Sequence, residues 1–386
     1  DPERSRAWIG IAASHNLNDE RAAALEALEQ AEAMADESTQ LEDLSRLHYL
    51  RGAIGFASGA IEQCSTSHRQ ALAFAERARS PSLEARALSG LGDAEYASGR
   101  MRKAYDYFEA CLALCEQHGL GQVEAANRFM LGTVRIYLNQ LDRALEDSMN
   151  SAAVAARVGH KRAEIVSRLT CGWIHLDRAE LEQAERQASA GLELAVELGA
   201  RRFEPFLNES IARIQLARGE RAAARATLDE AVRVCRETGL AFIGPWVLAT
   251  QALASDDAAL ADASLAEGER LLEGACVGHN YFRFYCTAME IALERSDWAQ
   301  ARRYAGALQT YTASDPVPWS RFYIERALAL AAASELGTDA GGRLQTLRQQ
   351  ALEVGLLSAL PAIERALRAL NSTTSIEGGT GHVASK

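Results

Sequence analysis

Proline is scarce in this chain, seven in 386 residues, and no run of roughly 18 apolar residues occurs anywhere in it. The first shortage leaves room for long unbroken helices, and the second excludes a membrane-spanning one. Basic residues are outnumbered, 41 Lys and Arg against 52 Asp and Glu, for a formal net charge of −11. A surface of that sign repels phosphate backbones, whose binding draws on Lys and Arg to release counterions. Neither nucleic acid nor a membrane is an expected partner. Cysteines number seven, an odd count with no pair at CxxC spacing, and Cys111 and Cys115 stand four apart inside an apparent helix. They read as small buried apolar residues in a reducing cytoplasm.

The motifs of common chemistry are missing as well. No GxxxxGK or HExxH is present, and Gly90-Leu91-Gly92 lacks both the third glycine and the preceding strand of a dinucleotide loop. Gly55-Phe56-Ala57-Ser58-Gly59 puts its serine in the wrong place for a nucleophile elbow and lies at a helix end. Cys276, His279 and Cys286 match no zinc spacing, and a fourth ligand is lacking. His48, His68, His118, His160 and His175 are scattered singly, and carboxylates such as Glu182 beside Arg186 are ordinary helix-surface neighbours. No catalytic residue, cofactor site or metal site is predicted, and the chain reads as a non-enzyme.

What the sequence does contain is a register of 40 residues. Gly52, Gly92, Gly132, Gly172 and Ala212 form one column of small residues, and Gly59, Gly99, Asn139, Ala179 and Gly219 form a second. Cys64, Ala104, Ala144, Ala184 and Ala224 make a third, and Gly119, Gly159, Gly199 and Gly239 a fourth. Self-similarity at such a period marks a stacked-repeat architecture, which also explains how the chain exceeds the roughly 250 to 300 residues at which one compact core stops growing.

Residues 83–119 show the unit. Leu88, Leu91 and Tyr96 recur at helical spacing up to the break at Gly99, and Ala104, Tyr105, Phe108, Cys111, Leu112 and Cys115 then form the buried stripe of a second helix that ends at Gly119. The unit is an antiparallel helical hairpin, whose two apolar faces are covered only by stacking. Glycine inside a helix costs about 1 kcal/mol relative to alanine, so Gly92 and its equivalents predict a close approach by a neighbouring helix backbone, with Ala104, Ala144, Ala184 and Ala224 doing the same on the second helix. Leu91-Gly92, Gly99, Ala104, Phe108 and Leu112 resemble the tetratricopeptide signature, although that family's unit is about 34 residues long. The resemblance implies an all-α, right-handed solenoid of about nine stacked hairpins over nearly the whole chain.

Before the regular repeats at 41–240, residues 4–36 read as a further hairpin; after them, variant units fall near 243–275, 279–313 and 318–355. A capping helix is predicted over 358–370 and a disordered polar tail over 371–386, so that 1–370 form a single superhelix. The start at Asp1-Pro2, without Met, suggests a fragment of a longer protein.

Three aromatic clusters in the late units do not repeat: Phe242 to Trp246, Cys276 to Phe282, and Pro316 to Phe322. Two readings stand: proline opening a helix with an aromatic plugging the gap between hairpins, or an edge where Trp246, His279, Asn280 and Trp319 meet a partner. The order of Gly244-Pro245-Trp246, Cys276 with His279-Asn280 and Phe282, Ser296-Asp297-Trp298, and Pro316-Val317-Pro318-Trp319 resembles the C-terminal repeat region of bacterial multidomain proteins. Those join a class III adenylate or guanylate cyclase to a nucleotide-binding ATPase and then to tetratricopeptide repeats. This second resemblance covers about residues 239–361 and implies a regulatory repeat region without catalytic residues of its own.

By analogy with the tetratricopeptide family, first helices line the concave face. Tyr49, Ser89, Phe129, Leu169 and Glu209 then project inward, with Ala53, Asp93, Thr133, Trp173 and Arg213. Tyr49, Asp93, Phe129, Trp173 and Arg213 are candidate contacts to a protein or peptide, including the chain's own upstream domains, and a homo-oligomer is compatible. The expected function is a scaffold or sensor that regulates an attached cyclase or ATPase module. The alternatives are the inducer-binding domain of a transcription activator and a freestanding adaptor.

Overall fold

The computed structural model describes residues 1–18, 20–336 and 340–377, and all regular structure among them is helical. Nine hairpins follow one another: α1 (Pro2–Leu17) with α2 (Arg21–Met34), α3 (Leu41–Ser58) with α4 (Ile61–Ala78), α5 (Pro81–Ala97) with α6 (Met101–His118), and α7 (Gly121–Tyr137) with α8 (Leu141–Val158). The next are α9 (Lys161–Asp177) with α10 (Leu181–Leu198), α11 (Glu204–Ala217) with α12 (Arg221–Thr238), and α13 (Leu240–Ala254) with α14 (Ala258–Leu272). The last are α15 (His279–Glu294) with α16 (Trp298–Tyr311), and α17 (Pro318–Leu336) with α18 (Ala340–Val354). A final helix, α19 (Leu360–Glu377), packs on α17 and α18. It continues beyond position 370, where a tail was expected, because nothing in Asn371–Glu377 forces a helix to stop and the first glycines come at 378 and 379; the rest of the expected tail lies outside the described residues.

The small-residue columns have two separate causes. In the turns inside six of the hairpins, Gly59, Gly99, Asn139, Ala179, Gly219 and Ser296 all take positive φ, from 56° to 82°, which closes the first helix. Ala179 does so against the clash of its own Cβ, so the geometry of the turn, and not the identity of the residue, is what repeats. In the helix column a Cβ on Gly52 would lie 2.4 Å from His68 Nε2, one on Gly92 2.6 Å from Phe108 Cε1, and one on Gly132 2.4 Å from Ser148 Oγ. The first obstacle at these three sites is therefore a side chain of the hairpin's second helix, not the backbone expected from the sequence; at Gly172 the nearest atom is Ala184 O at 3.7 Å, an ordinary contact. Ala104, Ala144, Ala184 and Ala224 are completely buried.

Stacking alone does not describe the array. The chain coils until early and late repeats meet: α3 touches α13, α7 touches α17, and Tyr96 Oη hydrogen-bonds His279 Nδ1 at 3.0 Å across 183 residues of sequence. Nearby, Asp315 accepts from the Arg102 backbone N–H at 2.8 Å, and Pro316 O accepts from Arg102 Nε at 2.9 Å. At the tightest point of this seam a Cβ on Gly278 would stand 2.5 Å from both Gly99 N and Tyr96 O. The expectation that each hairpin meets only its neighbours is corrected here, and the main apolar core accordingly runs unbroken from Tyr96 to Leu367.

Candidate functional site

Coiling of the array forms a partly open cavity of about 1140 Å³ among α9, α11, α13, α15, α16, α17 and α19. Its size suits a small ligand or a short peptide segment. Trp173, Arg213, Trp246 and Trp319, all selected from the sequence, line it. The first two arrive through the inward-facing column after Gly172 and Ala212. Trp246 and Trp319 arrive through the late aromatic clusters, which face the interior and do not form an exposed edge; both are fully buried.

Why Trp246 points inward follows from its neighbour. The structure starts α13 at Leu240, ahead of the boundary expected near 243, so Pro245 sits inside the helix, where it lacks an N–H and displaces the carbonyl four residues back. The disturbed turn is completed from α15. Ala241 O accepts from Val277 N at 3.1 Å, Phe242 O accepts from Asn280 Nδ2 at 3.0 Å and from His279 Nε2 at 2.6 Å, and Asn280 Oδ1 accepts from Trp246 N at 3.3 Å. With Nε2 donating, His279 is the tautomer whose Nδ1 accepts from Tyr96 Oη. Burial pushes its pKa down to about 3, so it is neutral. His279 and Asn280 are thus committed to the seam and to the proline turn, a structural role where partner contact was expected.

Four arginines line the cavity, Arg213, Arg283, Arg326 and Arg365; Arg326 donates through Nε to Ala359 O at 3.2 Å, and Arg213 and Arg283 are held in contrasting ways. Arg213 donates through Nε to Glu209 Oε1 at 2.9 Å, lies 3.5 Å from Glu290, and bonds Thr287 through Nη2; Glu209 also accepts from Thr250 Oγ1 at 2.8 Å. Burial opposes the Arg213 charge, and the two carboxylates outweigh it, holding its pKa above the usual value. Arg283 is surrounded differently. Its Cζ lies 4.9 Å from the ring centre of Trp319, 5.2 Å from Trp246, 5.7 Å from Trp173 and 5.8 Å from Tyr137. Among the described residues its Nε and Nη2 have no hydrogen-bond partner, nor do the three indole N–H groups or Asp177 Oδ2. Burial raises the Asp177 pKa, opposed by the charges of Arg283 and Arg213.

Tyr49, Asp93 and Phe129 are not part of this cavity wall. Tyr49 and Asp93 sit together on the inward columns of the early repeats, where burial, opposed by Arg162, pushes the Asp93 carboxyl up to about 7. Phe129 is half-buried against the core. Arg283 and Asp177 escaped the sequence reading because neither belongs to the inward columns. The available signal was an arginine set between Phe282 and Phe284 in a helix whose other neighbours are buried. Among the described residues no three His, Cys, Asp or Glu side chains come together as a metal site, and Cys276 Sγ instead donates to Leu271 O at 3.3 Å. No helix among them is long and apolar enough to cross a membrane.

No family model and no curated sequence matches the chain. Solved structures do match. A Rap protein complexed with competence and sporulation factor is 11% identical, with 96% of this chain and 98% of that one covered at a TM-score of 0.53. NprR in complex with its cognate peptide NprX is 10% identical, with 91% and 98% covered at a TM-score of 0.59. At such identities the likeness is one of fold, and it establishes the chain as a tetratricopeptide-like helical-repeat solenoid.

Proposed function

We propose that the chain is a non-catalytic sensor whose coiled repeats take up a peptide or a segment of a partner protein in the interior cavity. The observation that carries this reading is the cavity itself. Helices from several different repeats converge on about 1140 Å³ bounded by tryptophan and leucine side chains, with a polar wall that is only partly self-satisfied. Aromatic and arginine side chains are the types that most often dominate binding energy at interfaces. The reading is supported by two proteins of the same fold, one complexed with a peptide and the other with competence and sporulation factor. Occupation of the cavity acts by favouring one curvature of the array over another, because the repeats that line it also form the seam. The output we propose is regulation of an attached nucleotide cyclase or ATPase, on the strength of the sequence likeness over residues 239–361.

The test uses a synthetic random hexapeptide pool incubated with the purified chain, with retained peptides identified by mass spectrometry. The expected result is retention of a defined subset by the native chain and loss of most of it in Ala333→Trp, which fills the cavity from α17. Equal retention by both proteins counts against the cavity. Cyclase or ATPase output of the longer protein, measured with and without residues 1–386, tests the attached module; unchanged output and regulation refute it.

A further inference from the structure

Among the described residues Arg283 is a charge with two buried donors and no acceptor for either. A guanidinium carries five N–H donors and keeps its charge at any physiological pH, so one held away from water normally faces a carboxylate. Here Nε and Nη2 are shielded from solvent without an acceptor, and no carboxylate oxygen among the described residues lies within salt-bridge distance of it. Asp177, the carboxylate that acts most strongly on it, leaves Oδ2 unbonded instead of closing the pair. The contrast with Arg213, four residues from Glu209 and fully engaged, shows that the fold is capable of neutralising a cation in this wall. The faces of Trp173, Trp246, Trp319 and Tyr137 stabilise Arg283 by cation–π attraction, and Nε and Nη2 are shielded from water while the side chain as a whole stays partly accessible and lines the cavity. The three indoles supply no acceptor, and the Tyr137 hydroxyl is the one neutral oxygen these rings turn toward the guanidinium, which leaves its charge unbalanced. What completes the arrangement is an anion on the cavity side, and what the leucine-rich remainder of the wall takes is an apolar body attached to that anion.

We propose that the cavity recognises the carboxylate of an apolar-bodied ligand, with Arg283 as the charge partner inside its tryptophan cage. A planar carboxylate matches the guanidinium fork, and a charge-assisted bond is about twice as strong as a neutral one. The carboxylate belongs either to the free C-terminus of a short apolar peptide or to a small aliphatic acid, which share this chemistry. The inference rests on the cavity being the binding site and adds what the site selects.

Four of the five tryptophans line the cavity, Trp173, Trp246, Trp298 and Trp319, so intrinsic fluorescence reports on it directly. The full chain is titrated with a pool of N-acetylated apolar hexapeptides bearing a free C-terminal carboxylate, with the same pool as C-terminal amides, and with decanoate against decanamide. The expected result is binding of the carboxylate forms at least about tenfold tighter than the amides. Arg283→Met is expected to abolish that preference, and Asp177→Asn, which removes the competing carboxylate, to increase it. A preference in the peptide pool alone assigns the site to peptide termini; a preference in both series assigns it to the carboxylate with any apolar body. Equal binding of acid and amide by the native chain overturns the inference while leaving the cavity as the binding site, and it does so without any variant that must fold. A preference that survives Arg283→Met also overturns it. No fluorescence response to any of the four probes removes both the inference and the reading beneath it.

Discussion

Gly278→Ala is the most direct probe of whether the array closes on itself in solution. The residue sits at φ −51° and ψ −37°, where alanine is at ease, so the backbone of Gly278 itself contributes no strain to the substitution. Its added methyl meets Gly99 N and Tyr96 O at 2.5 Å and Gly99 Cα at 2.8 Å, all of them backbone atoms of another superhelical turn. They have no rotamer through which to yield. Relief therefore requires the turns to separate, which strains Tyr96 Oη to His279 Nδ1 and the two bonds from Arg102 to Asp315 and Pro316. At about 0.5–1.5 kcal/mol each, with the carboxylate bond at the upper end, the expected loss is about 3 kcal/mol. Gly306→Ala is the matched control: it lies in the exposed middle of α16 with nothing within 4 Å of its Cβ, and is expected to stabilise by about 0.5–1 kcal/mol. Urea unfolding measures both, and small-angle scattering is expected to show a larger radius of gyration for Gly278→Ala. If Gly278→Ala behaves like Gly306→Ala and leaves the scattering unchanged, the seam is not closed in solution.

His68 is expected to withdraw stability as the pH is lowered through the range in which it titrates, against the opposite pull of Asp93, whose carboxyl binds its proton more readily in the fold than in the unfolded chain. Burial between Gly52 and Gly90, with neither ring nitrogen bonded, pushes the His68 pKa from 6.5 down to about 4, so between those values the unfolded chain binds the extra proton; stability is fully present above 6.5 and is lost towards 4, by about 3 kcal/mol for this residue. Urea unfolding of the native chain and of His68→Leu from pH 7 to 4 checks this: the stability difference between them is expected to move in favour of the variant as the pH falls, and a difference that stays constant refutes the assignment. Asn280→Leu removes the acceptor for Trp246 N–H and the donor to Phe242 O around the proline turn, and is expected to destabilise by about 2–4 kcal/mol. A loss under about 0.5 kcal/mol in thermal or urea unfolding shows that water or a shifted α13 satisfies those groups equally well.

The parts of this fold legible in the sequence are those set by local chemistry repeated many times. Gly99, Asn139, Ala179 and Gly219 mark the same positive-φ turn, and the Ala104 column marks the same buried helix face, so hairpin count and order follow from the register. The seam was not legible, because one full turn of a superhelix is the sum of many small rotations between neighbours and no single residue encodes that sum. For the same reason His279 and Asn280 looked like recognition residues: aromatics and amides outside the register suggested an exposed edge until coiling put them inside. Trp173 and Arg213, drawn from the inward columns, lie on the cavity wall, since those columns depend only on helix phase. Arg283 was invisible because its significance lies in three tryptophans drawn from three different repeats.

One helix, α15, touches the seam, the tryptophans and Arg213 alike. His279, Arg283, Thr287 and Glu290 follow one another along a single face of α15, at the three- and four-residue steps that align side chains on a helix. The first meets the seam through Tyr96, the second sits in the tryptophan cage, and the last two hold Arg213. The His279 ring also packs against Trp246 with centres 6.0 Å apart, and Trp246 lines the cavity. A displacement of α15 along its axis is therefore felt at the seam and at the cavity together, which gives the repeats a physical means of reporting occupancy. Tyr96→Phe tests the linkage, because it deletes the Oη to Nδ1 bond at the seam without touching the cavity wall. By reciprocity, if ligand and seam favour the same position of α15, the variant binds decanoate or the acid peptide pool more weakly, by a few-fold for a bond of about 1 kcal/mol. Affinity identical to that of the native chain, read by the same tryptophan titration, separates the seam from the cavity and leaves α15 a rigid spacer between them.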